Sequence, residues 1–116
     1  MKPSTKLSAS EISEQLKKLP GWRLEDGAIV REFPTDGWPT TLMLVNAIGF
    51  FAEAADHHPD LAVSWGKVQV KLSTHSAGGV TASDIELARL IEQTALWRPQ
   101  PASSALRGTT KKFVGP

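Results

Sequence analysis

The 116-residue sequence contains no cysteine. Disulfides, thiolate catalysis and cysteine-based zinc sites are therefore excluded. It also has no apolar run that approaches the roughly 20 residues needed to cross a membrane. The first residues are not followed by the apolar core of an export signal. These absences predict a protein without a membrane span, and the cytoplasm is the default compartment.

The charges are divided unequally along a chain that is long enough for one domain. Residues 97–116 carry four basic side chains and no acid, whereas residues 1–96 carry nine basic and twelve acidic ones. With a net charge of −3, residues 1–96 are a poor match for nucleic acid. We expect one domain over residues 1–96, followed by a basic extension with proline, glycine and serine over 97–116. The extension is either solvated or contacts an acidic protein partner.

Hydrophobic periodicity and turn residues predict seven elements in the order α-β-β-α-β-β-α. Asp26-Gly27 predicts a two-residue hairpin turn, because both positions tolerate a positive φ. The alternating residues 61–65 and 67–73 flank Gly66 and predict a second hairpin. Two hairpins with one polar face each indicate a four-stranded antiparallel sheet with helices on its other face. The predicted fold class is therefore α+β with two layers.

The three helices have distinct signals. Ser8 followed by Glu11 has the capping-box pattern that begins a helix, and Thr81 followed by Asp84 repeats it. The run from Leu42 to Asp56 is apolar almost all round, which predicts a helix buried on more than one side. It lies either in the core or partly against another subunit. The wide apolar arc of the last helix also favours self-association.

All three histidines lie in two short segments. His57 and His58 close the long helix before Pro59, and His75 follows the fourth strand. Histidine titrates near neutral pH, so such a group can donate and accept protons in one site. Glu53 lies one helical turn before His57, where its carboxylate can orient a ring. A helix end and a strand end that both lead into loops can place these rings opposite each other.

Structural and metal-binding roles are also compatible with these histidines. A histidine at a helix C-terminus is favoured by the helix dipole by about 0.3–1 kcal/mol, which accounts for one histidine but not for the pair. Three histidines can bind zinc, although adjacent ones at a helix end point in different directions. Serine nucleophile catalysis has less support, since the sequence has no Gly-x-Ser-x-Gly motif. Gly78-Gly79 lacks the Gly-Lys-Ser/Thr of a phosphate loop.

Several spaced motifs resemble the pterin-4a-carbinolamine dehydratase family, also known as dimerisation cofactor of a homeodomain transcription factor. The resemblance runs from about Leu7 to Leu96. It is carried by Glu53-x-x-Asp56-His57-His58-Pro59, Trp65, Lys67-Val68, Leu72-Ser73-Thr74-His75, Gly78-Gly79 and Asp84. It implies a four-stranded antiparallel sheet with three helices on one face, in homodimers or homotetramers. It also implies dehydration of 4a-hydroxytetrahydrobiopterin to quinonoid dihydropterin, with no metal or organic cofactor.

The resemblance also implies roles for individual residues. The catalytic residues would be His57, His58, His75 and Glu53, with His57 and His75 as the acid–base pair. Asp56 would tune and orient the rings together with Glu53. The pterin would be bound by Asp56, His57, His58, Pro59, Thr74, His75, Ser76 and Ala77.

A second function is compatible with the same resemblance. Some proteins of similar fold are protein-binding modules, such as a RuBisCO assembly factor or a transcriptional coactivator. Several relatives carry an aromatic residue in place of Leu61 and an asparagine in place of Val63. These departures and the basic extension favour a protein partner, whereas the complete set of histidines favours the enzyme.

Overall fold

The structure, a computed structural model, describes residues 5–100 and 102–115. The chain forms three helices and four strands in the predicted order α-β-β-α-β-β-α, with one short 3-10 helix before the last α-helix. Their bounds are α1 Ala9–Leu16, β1 Arg23–Glu25, β2 Ala28–Pro34, α2 Trp38–Ala55, β3 Asp60–Ser64, β4 Lys67–Leu72, the 3-10 helix His75–Ala77 and α3 Ala82–Ala95. The strands are antiparallel in the order β1-β2-β4-β3. The predicted α+β fold class is confirmed.

One face of the sheet forms the core. In the register of β2 and β4, Ile29 lies opposite Leu72 and Phe33 lies opposite Val68, so these side chains share a face. They form one buried cluster with side chains from all three helices, including Ile12, Ile48 and Ile91. All three helices therefore pack on the same face of the sheet.

The local signals at α1 and at the first hairpin are confirmed. Ser8 Oγ accepts from the Glu11 backbone N–H at 3.1 Å, and Glu11 Oε1 accepts from the Ser8 N–H at 2.8 Å. Asp26 and Gly27 have φ values of 49° and 76°. Positive φ at both central residues gives the twist that a two-residue hairpin requires.

The long helix α2 begins after Gly37, whose φ of 147° favours glycine. It ends one residue earlier than the apolar run predicts. Asp56 takes the left-handed conformation with φ 51° and ψ 43°, and its N–H donates to the carbonyls of Ala52 and Glu53. His57 and His58 therefore lie beyond the helix, on the chain that leads into β3.

The prediction that α2 is buried on more than one side is wrong within a single chain. Leu44, Ile48 and Ala52 are buried on one side, whereas Met43 and Phe50 are exposed, with 70% of Phe50 accessible. The alternation predicted for residues 61–65 also leaves apolar side chains uncovered: Val63 on the edge strand β3 and Trp65 in the turn after it are both exposed. Among the described helices, none has the combination of length and apolarity that a bilayer crossing requires.

The expectation of a solvated extension is wrong for the end of the chain. Val114 forms an isolated antiparallel bridge with Thr35 and packs against the core. The N–H of Asp36 donates to the Phe113 carbonyl at 2.8 Å, and the N–H of Gly115 donates to the Pro34 carbonyl at 2.8 Å. The chain after α3 therefore returns to the end of β2.

Candidate active site

His57 is held by the backbone that ends α2. The left-handed Asp56 turns the chain, and the His57 N–H then donates to the Ala52 carbonyl at 3.0 Å. This bond spans five residues, as in the Schellman motif that commonly ends helices. The backbone position of His57 is thus fixed by helix geometry before its side chain makes any contact.

The ring of His57 contacts a buried carboxylate from α3. Its Nε2 lies 2.5 Å from Asp84 Oδ1. The side chain of Asp84 is completely buried, and that of His57 is largely buried. Because an ionised carboxylate accepts hydrogen bonds only, it favours the tautomer with the proton on Nε2. The other nitrogen, Nδ1, is then available to exchange a proton with a ligand.

The second oxygen of Asp84 is also fully used. Its Oδ2 accepts from Thr74 Oγ1 and from the Thr81 backbone N–H, both at 2.8 Å. Thr74 Oγ1 also lies 2.9 Å from Thr81 Oγ1. Since a hydroxyl has one proton and Thr74 donates it to Asp84, Thr81 is the donor to Thr74. The Thr74 hydroxyl and the Thr81 N–H thus hold the carboxylate that contacts His57, and the Thr81 hydroxyl in turn holds Thr74.

His58 pairs with Glu53 on the surface. Its Nε2 lies 2.8 Å from Glu53 Oε1, and both side chains are exposed. Glu53 therefore orients His58, the residue five positions on, and not His57 as its helical spacing alone indicates. The left-handed residue between them changes the direction of the chain, which is why helical spacing does not apply beyond α2.

His75 begins the 3-10 helix in the segment that the sequence predicts as a loop after the fourth strand. The N–H of Thr74 donates to the Gly79 carbonyl at 2.8 Å, and the N–H of Gly79 donates back to Thr74 at 3.3 Å. Gly78, with φ 74°, provides the left-handed turn between them. His75 and Ser76 are exposed on this closed loop, and Ala77 is half-buried.

Two surface clefts border this region. One, of about 440 Å³, is lined by His57, Asp56 and the α3 residues Ser83, Glu86, Leu87 and Leu90. The other, of about 320 Å³, is lined by His75, Thr74 and Ser73 together with Asp60, Lys71 and the Asp26-Gly27 turn. Thr74 lines the second cleft and donates to Asp84, which contacts His57. Thr74 and Asp84 therefore connect the two histidine regions.

The sequence-predicted residues fall into three groups. His57 and Thr74 both contact Asp84. Glu53 and His58 form a separate pair on the surface. His75 is on the loop. Asp56 acts through its backbone, since no side-chain hydrogen bond of Asp56 occurs among the described residues. Half-buried Pro59 leads directly into β3. Within residues 5–100 and 102–115, no group of three His, Asp or Glu side chains is placed to hold a metal ion.

Sequence reasoning missed the role of Asp84 in the site. It predicts Asp84 as a helix-capping residue, and the bond from the Thr81 N–H confirms that role. Asp84 and His57 are 27 residues apart in sequence, and their contact depends on the packing of α2 against α3. The available signal was that Asp84 belongs to the same set of spaced motifs as the histidines.

Comparison with known proteins agrees with this architecture. Residues 5–94 match the family described as Pterin 4 alpha carbinolamine dehydratase. A protein of Aquifex aeolicus named "Putative pterin-4-alpha-carbinolamine dehydratase" is 51% identical over 88 residues, which cover 76% of this chain and 89% of the relative. A protein of the same name from Chloroflexus aurantiacus is 43% identical over 88 residues, covering 76% of this chain and 95% of the relative.

A solved structure is also similar. The crystal structure of a transcriptional coactivator/pterin dehydratase from Brucella melitensis has a TM-score of 0.73 and 37% sequence identity, and covers 76% of this chain and 96% of that one. The family match spans well over half of the sequence. The chain therefore belongs to the pterin-4-alpha-carbinolamine dehydratase family, and the resemblance found in the sequence is confirmed.

Proposed function

We propose that the protein is a hydro-lyase that converts 4a-hydroxytetrahydrobiopterin to quinonoid dihydropterin and water, in the recycling of a pterin cofactor. In this reaction a proton is delivered to the 4a-hydroxyl, the C4a–O bond breaks and water leaves. The proton on N5 is lost, and its electron pair forms the new double bond. The reaction needs one group that donates a proton and one that accepts a proton, and histidine can do both near neutral pH.

The observation that carries this proposal is the contact between His57 and the buried Asp84. A carboxylate that fixes the tautomer and orientation of an imidazole is a recurring feature of acid–base sites. The alternative, a histidine that only stabilises a helix end, requires no buried acid from another helix. Thr74 Oγ1 and the Thr81 N–H hold Asp84 in place, so His57 is positioned before a substrate binds.

The other roles follow the family resemblance. His75 would complete the acid–base pair with His57, and His58, oriented by Glu53, would bind the pterin and assist. The pterin would also contact Asp56, Pro59, Thr74, Ser76 and Ala77, with backbone groups of the loop reading its amide edge. No metal or organic cofactor enters this mechanism. The cytoplasm remains the compartment that the sequence predicts.

Stopped-flow absorbance of 4a-hydroxytetrahydropterin decay tests the proposal. The wild-type protein should accelerate the decay, and the His57→Ala/His75→Ala double variant should lose about 10²- to 10⁴-fold, the usual contribution of acid–base groups. A Gln93→Ala variant, at an exposed position of α3, is the matched control and should keep full activity. Absence of acceleration by the wild type would refute the enzyme, and full activity of the double variant would refute acid–base catalysis by His57 and His75.

Self-association of the chain is part of this proposal. The exposed apolar side chains of α2, of β3 and of the turn after β3, among them Met43, Phe50, Val63 and Trp65, support a homodimer or homotetramer. A Phe50→Glu variant should shift the sedimentation coefficient toward the monomer while circular dichroism stays unchanged. An unchanged assembly in this variant would mean that the α2 surface is not used between copies.

A protein-binding role is the second candidate, because the Brucella melitensis structure is described as a coactivator as well as a dehydratase. An α2 surface left free in the assembly would favour this role, either as a coactivator or as an assembly factor. A His57→Ala variant separates the two roles. If it loses dehydration activity but still binds a purified partner protein, the chain has both roles. If the α2 surface is instead covered by a second copy of the chain, it is not available to a protein partner, and this second role is contradicted.

A further inference from the structure

The chain after α3 forms a basic cleft that is separate from the histidine region. The cleft has a volume of about 520 Å³. Among the residues that line it are four basic residues and two threonines: Arg98, Arg107, Lys111, Lys112, Thr109 and Thr110. We propose that this cleft binds a compact polyphosphate group, either inorganic or carried by a nucleotide. The family match ends at residue 94, so this binding site is a property of the extension and is independent of dehydration.

The cleft is preformed, because both ends of the extension are fixed. At its start, Arg98 Nη1 donates to the Trp97 carbonyl and Nη2 donates to the Lys112 carbonyl, both at 2.6 Å. The guanidinium also lies 5.1 Å from the centroid of the Phe113 ring. At its end, Val114 pairs with Thr35. The loop that carries the cations is therefore closed on itself and anchored on β2, so binding requires little further ordering.

The positive charge in the cleft is not neutralised by the rest of the described chain. The last acidic residue of the sequence is Glu92. None of the ion pairs formed by residues 5–100 and 102–115 involves the four cations. The side chains of Arg107 and Lys111 form no hydrogen bonds within those residues either. Four like charges around one concave surface repel each other, and an anion of high charge density would relieve that repulsion.

The distribution of charge favours a compact anion over a long one. Residues 1–96 have a net charge of −3, so a nucleic-acid strand that extends beyond the cleft would meet repulsion. An acidic peptide carries one charge per side chain, spread over an extended backbone. Two or three linked phosphates place several charges within the dimensions of one small-molecule pocket, for which about 300–1,000 Å³ is usual. Arginine, lysine and threonine hydroxyls are all suited to phosphate oxygens.

Isothermal titration of the full chain with tripolyphosphate, and separately with ATP, at about 50 mM salt tests this proposal. Both carry three linked phosphates, so the two titrations distinguish an inorganic from a nucleotide source. We expect saturable 1:1 binding that weakens as salt is raised. The Arg107→Gln/Lys111→Gln variant should bind about tenfold or more weakly, because each lost contact is a charged hydrogen bond.

The matched control is Lys17→Gln/Lys18→Gln, which removes the same charge from exposed positions at the end of α1. It should bind like the wild type. Dehydration by the Arg107→Gln/Lys111→Gln variant should be unchanged, since neither residue lies near the histidines. The proposal is overturned if neither ligand gives saturable binding or if both double variants lose affinity equally. It is also overturned if a 20-nucleotide single strand binds more tightly than tripolyphosphate.

Discussion

Asp84 Oδ1 lies 2.5 Å from His57 Nε2 and joins the start of α3 to the end of α2. The same carboxylate accepts the Thr81 N–H at the start of α3 and the Thr74 hydroxyl next to the His75 loop. One buried acid therefore begins a helix, orients a histidine and anchors the loop that carries another. Changes at Asp84 should affect both folding and activity.

We expect Asp84→Asn to lower kcat, by up to about 10⁴-fold, the loss known for an amide in place of the carboxylate that fixes the tautomer of a catalytic histidine. The amide has one accepting oxygen in place of two and must place its NH₂ against a donor. The free energy of unfolding should therefore fall by about 1–3 kcal/mol. Steady-state kinetics and urea denaturation measure the two effects.

Gln93→Ala is the control for this change, because Gln93 is an exposed residue of the same helix and lies outside the cleft beside His57. It should alter neither kcat nor stability. If Asp84→Asn lowers stability and leaves kcat and its pH profile unchanged, Asp84 is a helix cap and has no role in orienting His57.

Asp56 allows its backbone role to be separated from substrate binding. In the left-handed region a non-glycine residue costs about 1–2 kcal/mol, so Asp56→Gly should stabilise the protein by about 0.5–1 kcal/mol. Asp56→Ala should destabilise it, because alanine lacks the local hydrogen bonding that helps aspartate in this conformation. Both variants lose the carboxylate, so both should raise KM if Asp56 binds the pterin. An unchanged KM in both would restrict Asp56 to ending the helix.

Gly21 is required by a buried ion pair. Arg31 donates to both oxygens of Glu92 at 3.1 Å and stacks 4.3 Å from the centroid of Phe33. A Cβ on Gly21 would lie 2.3 Å from Arg31 Nε, which these contacts prevent from moving away. Gly21→Ala should therefore lower the free energy of unfolding by about 1–3 kcal/mol, as overpacking does.

The matched substitution is Gly49→Ala. Gly49 lies inside α2, and a Cβ there would have no atom within 4 Å among the described residues. The variant should be more stable by about 0.5–1 kcal/mol, because glycine is unfavourable in a helix interior. Urea denaturation of the two variants should give shifts of opposite sign, and a Gly21→Ala variant as stable as the wild type would show that Arg31 can move.

The open face of the sheet gives a pH dependence. The hydrogen bond and the charge of Lys67, with a smaller contribution from Arg23, hold the pKa of Glu32 below its ordinary value. A carboxyl whose pKa is lowered by folding stabilises the protein above its unfolded pKa and loses that effect as the pH falls through its folded pKa.

The wild type should therefore exceed Glu32→Gln in Tm at about pH 6, and this difference should shrink as the pH is lowered through the range in which Glu32 becomes protonated. The difference should be small and should shrink with added salt, because all three side chains are solvent-accessible. Thermal unfolding monitored by circular dichroism measures it. A difference that grows toward low pH would contradict the sign of the pKa shift.

Much of the fold could be predicted because its signals are local. The capping box of Ser8 and Glu11, the Asp26-Gly27 turn and the alternation in β4 each depend on neighbouring residues, and each agrees with the structure. The burial of α2 was wrong because apolar composition does not reveal which side meets the sheet. The solvated extension was wrong at the end of the chain, because the pairing of Val114 with Thr35 spans most of the chain.

For the site, the sequence by itself determined the residue types. It placed three histidines at the end of a helix and at the end of a strand, and its spaced motifs defined the family. Only the tertiary structure decided the partners: Asp84 for His57, Glu53 for His58, and a closed loop for His75. The physical reason is that a hydrogen bond depends on the separation of two atoms within about an ångström. Within one helix, sequence spacing fixes the separation of two atoms. Between α2 and α3, that separation is fixed only by how the two helices pack.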